Sequence, residues 1–251
     1  MPFGDLAAIR NGTGDTVLML HGVGLRAEAW SAQIEGLAPQ YAIVAPDLQG
    51  HGESALPKNT KLLSDYTDLI AAAIDAPVLV VGHSLGALIA LDLAIRHGEK
   101  VRAVAALNAI FERDAAAKAA VQGRAAALED PPAFDPDPTL RRWFGDRDSP
   151  ERQACQTWLL SVTGNGYRAA YSVFAHSDGP CEAALLNLAC PALFLTGEAD
   201  PNSTPAMSHA MASLTPNGRA LIVEGAAHMM AMTHADQVNT ALLSFFGDVS
   251  R

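Results

Sequence analysis

Six short runs of apolar residues punctuate the chain, at 16–20, 42–45, 78–81, 101–107, 192–196 and 219–223. Most show no alternation of polar and apolar positions, which is the pattern of strands covered on both faces in a parallel sheet. Between them lie stretches with helical spacing, at 27–37, 61–74, 84–97, 204–214 and 235–246. Strands alternating with helices predict a doubly wound, mostly parallel α/β sheet. Right-handed crossovers then bring the C-terminal ends of the strands, and any site built there, to one edge.

One segment breaks this rhythm. Between 111 and 188 no run reads as a strand. Residues 111–129 are Ala-rich and helical. Residues 130–150 carry Pro131, Pro132, Pro136, Pro138 and Pro150 and read as a turn-rich connector, with helical stretches following at 151–162 and 166–175. The expected organisation is an α/β core of residues 1–110 and 189–251, with residues 111–188 inserted as a helical lid. Helices packed on the core with no gating role are the alternative.

Composition narrows the class. Of 251 residues, 49% are hydrophobic and 18% charged, as a packed globular chain requires. The formal net charge of −10 and the lack of a basic cluster argue against nucleic acid as a partner. Cys155, Cys181 and Cys190 are odd in number and form no CxxC pair, so buried or half-buried free thiols are expected rather than a disulfide framework. No export signal opens the chain and no apolar run approaches membrane-spanning length. A cytoplasmic protein without a membrane partner is the expectation, and nothing in the sequence speaks to its oligomeric state.

The strongest local chemistry is Gly82-His83-Ser84-Leu85-Gly86, which follows the 78–81 strand and opens a helix. That is the context of a G-x-S-x-G nucleophile elbow, with Ser84 raised on a tight turn at a helix N-terminus. A second glycine-flanked turn, His21-Gly22-Val23-Gly24, follows the 16–20 strand. The backbone amides of Val23 and Leu85 are the expected pair of oxyanion donors. His21 reads as a loop-orienting residue. The Gly-rich stretch from Asp47 to Ser54 reads as scaffold, a direct role for His51 or Ser54 being the alternative.

A serine hydroxyl needs a base, and the base needs a partner that fixes its tautomer. Asp200 lies just beyond the 192–196 strand and His228 just beyond the 219–223 strand, in the order Ser…Asp…His. Glu198 is the alternative acid. Trp143, Trp158, Phe174 and Met229 could line a pocket between insertion and core, or serve as ordinary core packing. Met230 and Met232 belong to the same group. Arg141 and Arg142 read as solvated surface residues, with binding of a substrate carboxylate as the alternative. No HExxH or clustered His/Cys ligands suggest a metal, and Gly22-Val23-Gly24 lacks the third glycine of a dinucleotide fingerprint. No cofactor is implied.

On the residues His21–Gly24, Asp47–Ser54, Gly82–Gly86, Gly197–Asp200 and His228, the chain resembles the α/β-hydrolase superfamily, serine-hydrolase branch, over essentially its whole length. Leu140-Arg141-Arg142-Trp143-Phe144, Gly166-Tyr167 and the stretch 185–191 resemble the 3-oxoadipate enol-lactonase and small carboxylesterase group. The run Met229-Met230-Ala231-Met232-Thr233-His234 departs from that group, which commonly carries an acidic residue and a proline shortly after the base. The resemblance implies an eight-stranded sheet, with the first strand missing or reduced here. It also implies cleavage of a small-molecule ester or lactone through an acyl-enzyme. A carbon–carbon bond hydrolase of the same fold and a non-catalytic binding protein are the competing readings.

Overall fold

A computed structural model describes residues 2–58, 60–128 and 135–249. Its strands are β1 (Ala8–Asn11), β2 (Thr16–Leu20), β3 (Ala42–Pro46), β4 (Val78–His83), β5 (Val101–Leu107), β6 (Ala192–Gly197) and β7 (Gly218–Val223). Its helices are α1 (Ser31–Leu37), α2 (Leu63–Ala72), α3 (Leu85–Arg96), α4 (Ala115–Ala127), α5 (Asp137–Phe144), α6 (Pro150–Ser161), α7 (Gly164–His176), α8 (Glu182–Leu186), α9 (Pro205–Leu214), α10 (Met230–Thr233) and α11 (Ala235–Val249). A short 3-10 turn at Ala27–Trp30 leads into α1, so the continuous helix expected over 27–37 is split. No helix among the described residues is long and apolar enough to cross a membrane.

The sheet has seven strands in the order β1-β3-β2-β4-β5-β6-β7. β1 pairs antiparallel with β3 and every other pairing is parallel. Among the described residues the sheet is thus one strand short of the eight that the resemblance implies, and before β1 Phe3 and Leu6 form only an isolated bridge. Successive side chains of a central strand enter two different cores. Leu18, Leu20 and Val80 pack with Tyr66 and Ile70 of α2 and with α3. Val17, Met19, Leu79 and Val81 pack with Ile34 and Leu37 of α1 and Leu242 and Phe246 of α11. Both faces are covered, which is why these strands read as unbroken apolar runs. β7 lies at the edge and alternates instead, with Arg219 and Leu221 exposed.

Four of the inserted helices, α4 to α7, carry no strand between them. Their starts are set locally. Asp114 accepts the Ala117 amide, Ser149 that of Arg152 and Thr163 that of Gly166. One reading of the connector is corrected: within 130–150 the chain forms α5 rather than only turns. Pro136 is its N-cap and Pro138 lies in its first turn, where a missing N–H has no intrahelical partner to lose. The part of the connector at 130–134, with Pro131 and Pro132, and Glu129 at the end of the preceding helical reading lie outside the described residues. Helices α8 and α10 escaped the periodicity because each is little more than one turn long. The three cysteines are free. Cys155 is buried, Cys190 half-buried and Cys181 exposed, the last contrary to expectation because it stands outside the core as the N-cap of α8.

Two buried histidines clamp the loops that follow β2 and β3. His21 Nε2 accepts the Leu48 amide at 2.9 Å and its Nδ1–H donates to the Gly22 carbonyl at 2.8 Å. His51 Nε2 accepts the Gly24 amide at 3.0 Å and its Nδ1–H donates to the Gln49 carbonyl at 3.0 Å. A ring nitrogen that accepts a backbone N–H carries no proton, so both imidazoles are neutral. Asp47 completes the clamp, accepting the Ala27 and Glu53 amides at 2.8 Å each. The reading of His21 and of the Asp47–Ser54 stretch as scaffold agrees with this geometry.

Burial drives the His51 imidazole down to about 4, and it drives His21 well below the ordinary histidine value. The unfolded chain takes up protons below about 6.5 whereas the folded chain does not, so stability is complete above that pH and falls as acid is added. Each clamp contributes a slope approaching ~1.4 kcal/mol per pH unit. Urea unfolding at pH 7.5 and 5.5 is expected to show a marked loss at the lower pH. A His51→Gln variant should have a lower midpoint at pH 7.5 and a flatter dependence. An unchanged slope in that variant would contradict the assignment of His51 as a buried neutral clamp.

Candidate active site

β4 runs directly into α3 through Ser84, whose backbone sits at φ 56, ψ −116. That conformation is strained for a non-glycine residue, by ~1–3 kcal/mol, and must be held by its surroundings. The flanking glycines permit it. A Cβ at Gly82 would collide with the Gly86 carbonyl, and a Cβ at Gly86 with the carbonyl of Leu20 on β2. The Ser84 amide donates to the Leu107 carbonyl of β5 at 2.9 Å, fixing the turn from the other side. The side chain is left at the surface of a cavity of about 50 Å³, which it shares with Gly22, Val23, His83 and His228.

The loops after β6 and β7 are joined by backbone bonds, with the Glu198 and Ala199 amides donating to the Val223 and Ala226 carbonyls. Their pairing carries Asp200 to His228. The imidazole Nδ1–H donates to Asp200 Oδ2 at 2.7 Å. Nε2 remains as the ring's acceptor, and no hydrogen bond joins it to Ser84 Oγ in this structure. Glu198, the alternative acid, faces away and accepts the Gly225 amide at 2.9 Å.

Asp200 is almost fully buried, which by itself would raise its pKa. His228, the Asn202 amide and the Asn108 side chain outweigh that cost and hold the carboxyl down at about 2. Asn108, at the end of β5, is uncharged and so does not announce itself in the sequence as a partner of the acid. Its Nδ2–H₂ donates to Asp200 Oδ2 at 2.8 Å and contacts Thr196 Oγ1 at 3.4 Å. Its φ of 50 is the available clue: an asparagine at a strand end tolerates this backbone better than most residues. His83 directly precedes the serine in the chain. Its Nε2–H donates to the His228 carbonyl at 2.9 Å, and burial lowers its pKa to about 3, so it is a neutral brace for the loop.

The two amides singled out for the oxyanion stand on either side of Ser84. Val23 lines the cavity, and a Cβ on its neighbour Gly22 would lie 3.1 Å from Ser84 Cβ. Leu85 is the first residue of α3, so its N–H has no acceptor within the helix.

Of the four side chains expected to line the pocket, the structure brings two to it. Trp143 of α5 stacks on His228 with ring centroids 5.9 Å apart, and Phe174 of α7 forms part of the wall. Trp158 does not reach it. The buried face of α6 is that of Cys155 and Leu159, and Leu159 packs at Gly24 while Trp158 lies half-buried against the core. Met229 and Met232 do not line the main cavity either; they line a smaller hollow beneath it, with His21 and Trp30. Met230 is buried in the α1–α11 core. Arg141 is exposed and paired with Asp137, whereas Arg142 turns to the cavity. Arg124, Thr139, Tyr167 and Tyr171 also contribute to its wall, with Leu25 and Asn202, and none of these was expected there, Tyr167 having entered only through the family resemblance.

This geometry meets the comparisons with known proteins. The chain is 35% identical over 237 residues to the (E)-2-((N-methylformamido)methylene)succinate hydrolase of Acinetobacter baylyi, covering 92% of this chain and 90% of that protein. It is 32% identical over 251 residues to a pimeloyl-[acyl-carrier protein] methyl ester esterase of Xanthomonas oryzae pv. oryzae, covering 95% and 97%. The crystal structure of the enol-lactonase from Burkholderia xenovorans LB400 superposes with a TM-score of 0.83 at 21% identity, covering 96% of each chain, and shares the fold. A family model described as the alpha/beta hydrolase family matches residues 17–241. With a sheet, an elbow and a set of strand-end loops of this kind, the chain belongs to the alpha/beta hydrolase family, with a methyl ester esterase among its relatives.

Proposed function

We propose that the protein is a serine hydrolase that cleaves an ester or lactone of a small molecule, with Ser84 as nucleophile, His228 as base and Asp200 as the acid that orients it. The observation that carries this reading is the buried 2.7 Å bond from His228 to Asp200, beside a cavity that Ser84 also faces. With Nδ1–H committed to the carboxylate, Nε2 is the only ring atom able to take a proton. The serine–imidazole contact is of the kind that closes only when substrate is bound.

The reaction then runs in two steps. His228 Nε2 removes the Ser84 proton as Oγ adds to the substrate carbonyl. The Val23 and Leu85 amides donate to the oxygen that becomes negative, each contributing roughly 3 kcal/mol to the transition state. The imidazolium returns its proton to the departing oxygen, which leaves an acyl-serine. Water, losing its proton to the same nitrogen, releases the acid and restores the hydroxyl. Asp200 stays ionised throughout, in keeping with its low pKa. We also propose that residues 111–188 act as a lid, since α4, α5 and α7 supply the cavity wall opposite the sheet-edge loops.

The relatives' names support hydrolysis broadly and leave the bond open. One is named for a methyl ester and another for an N-methylformamido methylene succinate. An ester is the reading preferred here because a relative that matches nearly the whole chain is named for a methyl ester.

Ser84→Ala should abolish hydrolysis of p-nitrophenyl esters and small lactones, and abolish labelling by a fluorophosphonate, with the circular dichroism spectrum unchanged. Full activity in that variant would sink the scheme. Asn108→Ala removes a donor to a buried charged group, a loss of ~1.5–3 kcal/mol. We expect kcat to fall about 10- to 100-fold with KM changed little, and an Asn108→Asp variant to be worse than the alanine at neutral pH because of its like charge beside Asp200. Equal activity of the aspartate variant and wild type would show that Asn108 does not position the acid.

A further inference from the structure

The helical insertion is rich in arginine, and three of these side chains are ion-paired. Arg113 pairs with Asp178, Arg141 with Asp137 and Asp146, and Arg152 with Asp137. Arg124 of α4 and Arg142 of α5 are different. Both are half-buried, both line the cavity that holds Ser84 and His228, and neither meets a carboxylate among the described residues. Among the described residues, their side-chain partners are neutral. Arg124 Nε–H donates to the Tyr171 hydroxyl at 2.9 Å, and Arg142 Nη2–H donates to Thr139 Oγ1 at 2.9 Å. Thr139 in turn contacts the Tyr167 hydroxyl, and burial pushes that phenol up to about 12, so it stays protonated.

Two half-buried guanidinium groups with no carboxylate partner among the described residues are unexpected in a chain of formal net charge −10, which has 27 acidic side chains. Removing such groups partly from water is costly unless an anion is supplied. The hydrogen bonds described above also orient them. With Nε held by Tyr171, both terminal nitrogens of Arg124 are left for a ligand, the fork that matches a carboxylate in two parallel bonds. With one terminal nitrogen held by Thr139, Arg142 keeps Nε and its other terminal nitrogen. The wall between is otherwise Trp143, Tyr167, Tyr171 and Phe174, which suits a short carbon skeleton.

We propose that Arg124 and Arg142 form the substrate-carboxylate subsite of this enzyme, so that the molecule cleaved is a compact acid bearing at least one free carboxylate besides the scissile carbonyl. This rests on the proposed roles of Ser84 and His228 for the cleavage step, and on the arginine geometry alone for the recognition step. The local positive charge also offsets the repulsion that an acidic protein would exert on an anionic substrate.

The test separates the two. In the Ser84→Ala protein, binding of succinate and glutarate is measured by calorimetry against their neutral diamides and inorganic phosphate. Saturable binding of the diacids is expected, weaker by at least about tenfold in Arg124→Met or Arg142→Met and partly retained in the lysine variants. In the wild type, the p-nitrophenyl half-ester of glutarate is compared with p-nitrophenyl valerate, its neutral counterpart. The half-ester should be favoured in kcat/KM by about 10- to 100-fold, and the ratio should collapse towards one in the double methionine variant. The inference is overturned if the diamides or phosphate bind as well as the diacids, if the methionine variants bind diacids unchanged, or if the neutral ester is the better substrate. Diacid binding with no hydrolysis of either ester would keep the subsite and refute the cleavage reading instead.

Discussion

A buried ionised carboxylate is the constraint around which the rest of this site is arranged. Asp200 is taken out of water beside the sheet edge, and its charge survives there because three separate loops donate to it. The end of β5 sends Asn108, the loop after β7 sends His228, and its own turn supplies the Asn202 amide. Each donor needs its backbone in one place, so the carboxylate ties the loops of three strands together. The unusual backbone of Asn108 and the paired course of the β6 and β7 loops follow from that demand. So does the tautomer of His228, which leaves Nε2 for chemistry.

The same logic appears in two neutral forms nearby. His21 and His51 hold the loops after β2 and β3 through backbone amides and carbonyls, and His83 braces the His228 loop through its carbonyl. Four buried imidazoles therefore cluster within one edge of the sheet, yet only His228 stands beside an acid with a ring nitrogen turned to the cavity. Burial keeps the other three uncharged, so they can be packed closely without repelling the imidazolium that the proposed reaction forms. On the far wall the balance reverses. There the insertion presents positive charge to the cavity with no carboxylate partner among the described residues, which the proposed substrate carboxylate would complement. In the proposed scheme, strand-end loops supply the reactive groups and inserted helices supply recognition.

Most of the architecture could be read from the chain because it rests on local signals. Unbroken apolar runs mark strands covered on both faces, and glycines two residues either side of Ser84 mark a turn that no bulkier residue could make. That Ser84, Asp200 and His228, beyond β4, β6 and β7, share one edge follows from a parallel pairing of these strands, which all finish on the same side. Even the structural roles of His21 and the Asp47–Ser54 stretch were legible, since each sits in a glycine-flanked turn directly after a strand. Helix α5 was obscured by its prolines, which a helix accepts at its start and excludes from its interior. β1 was too short, and too far from any apolar run, to be seen.

What the sequence could not determine is which side chains on separate elements face one another. Asn108 and Asp200 lie 92 positions apart, and only the packing of β5 against β6 brings the amide to the carboxylate. Trp143 reaches His228 while Trp158 does not, because helical phase and the seating of α6 on Gly24 decide the matter, and neither is a property of composition. Arg141 and Arg142 are adjacent and chemically identical, yet one is solvated and ion-paired and the other lines the cavity. Local sequence determines the kind of element and the strain a turn can bear, through sterics that act over a few residues. Direction and proximity across the fold belong to tertiary packing, which sums many weak contacts that no single stretch of chain contains.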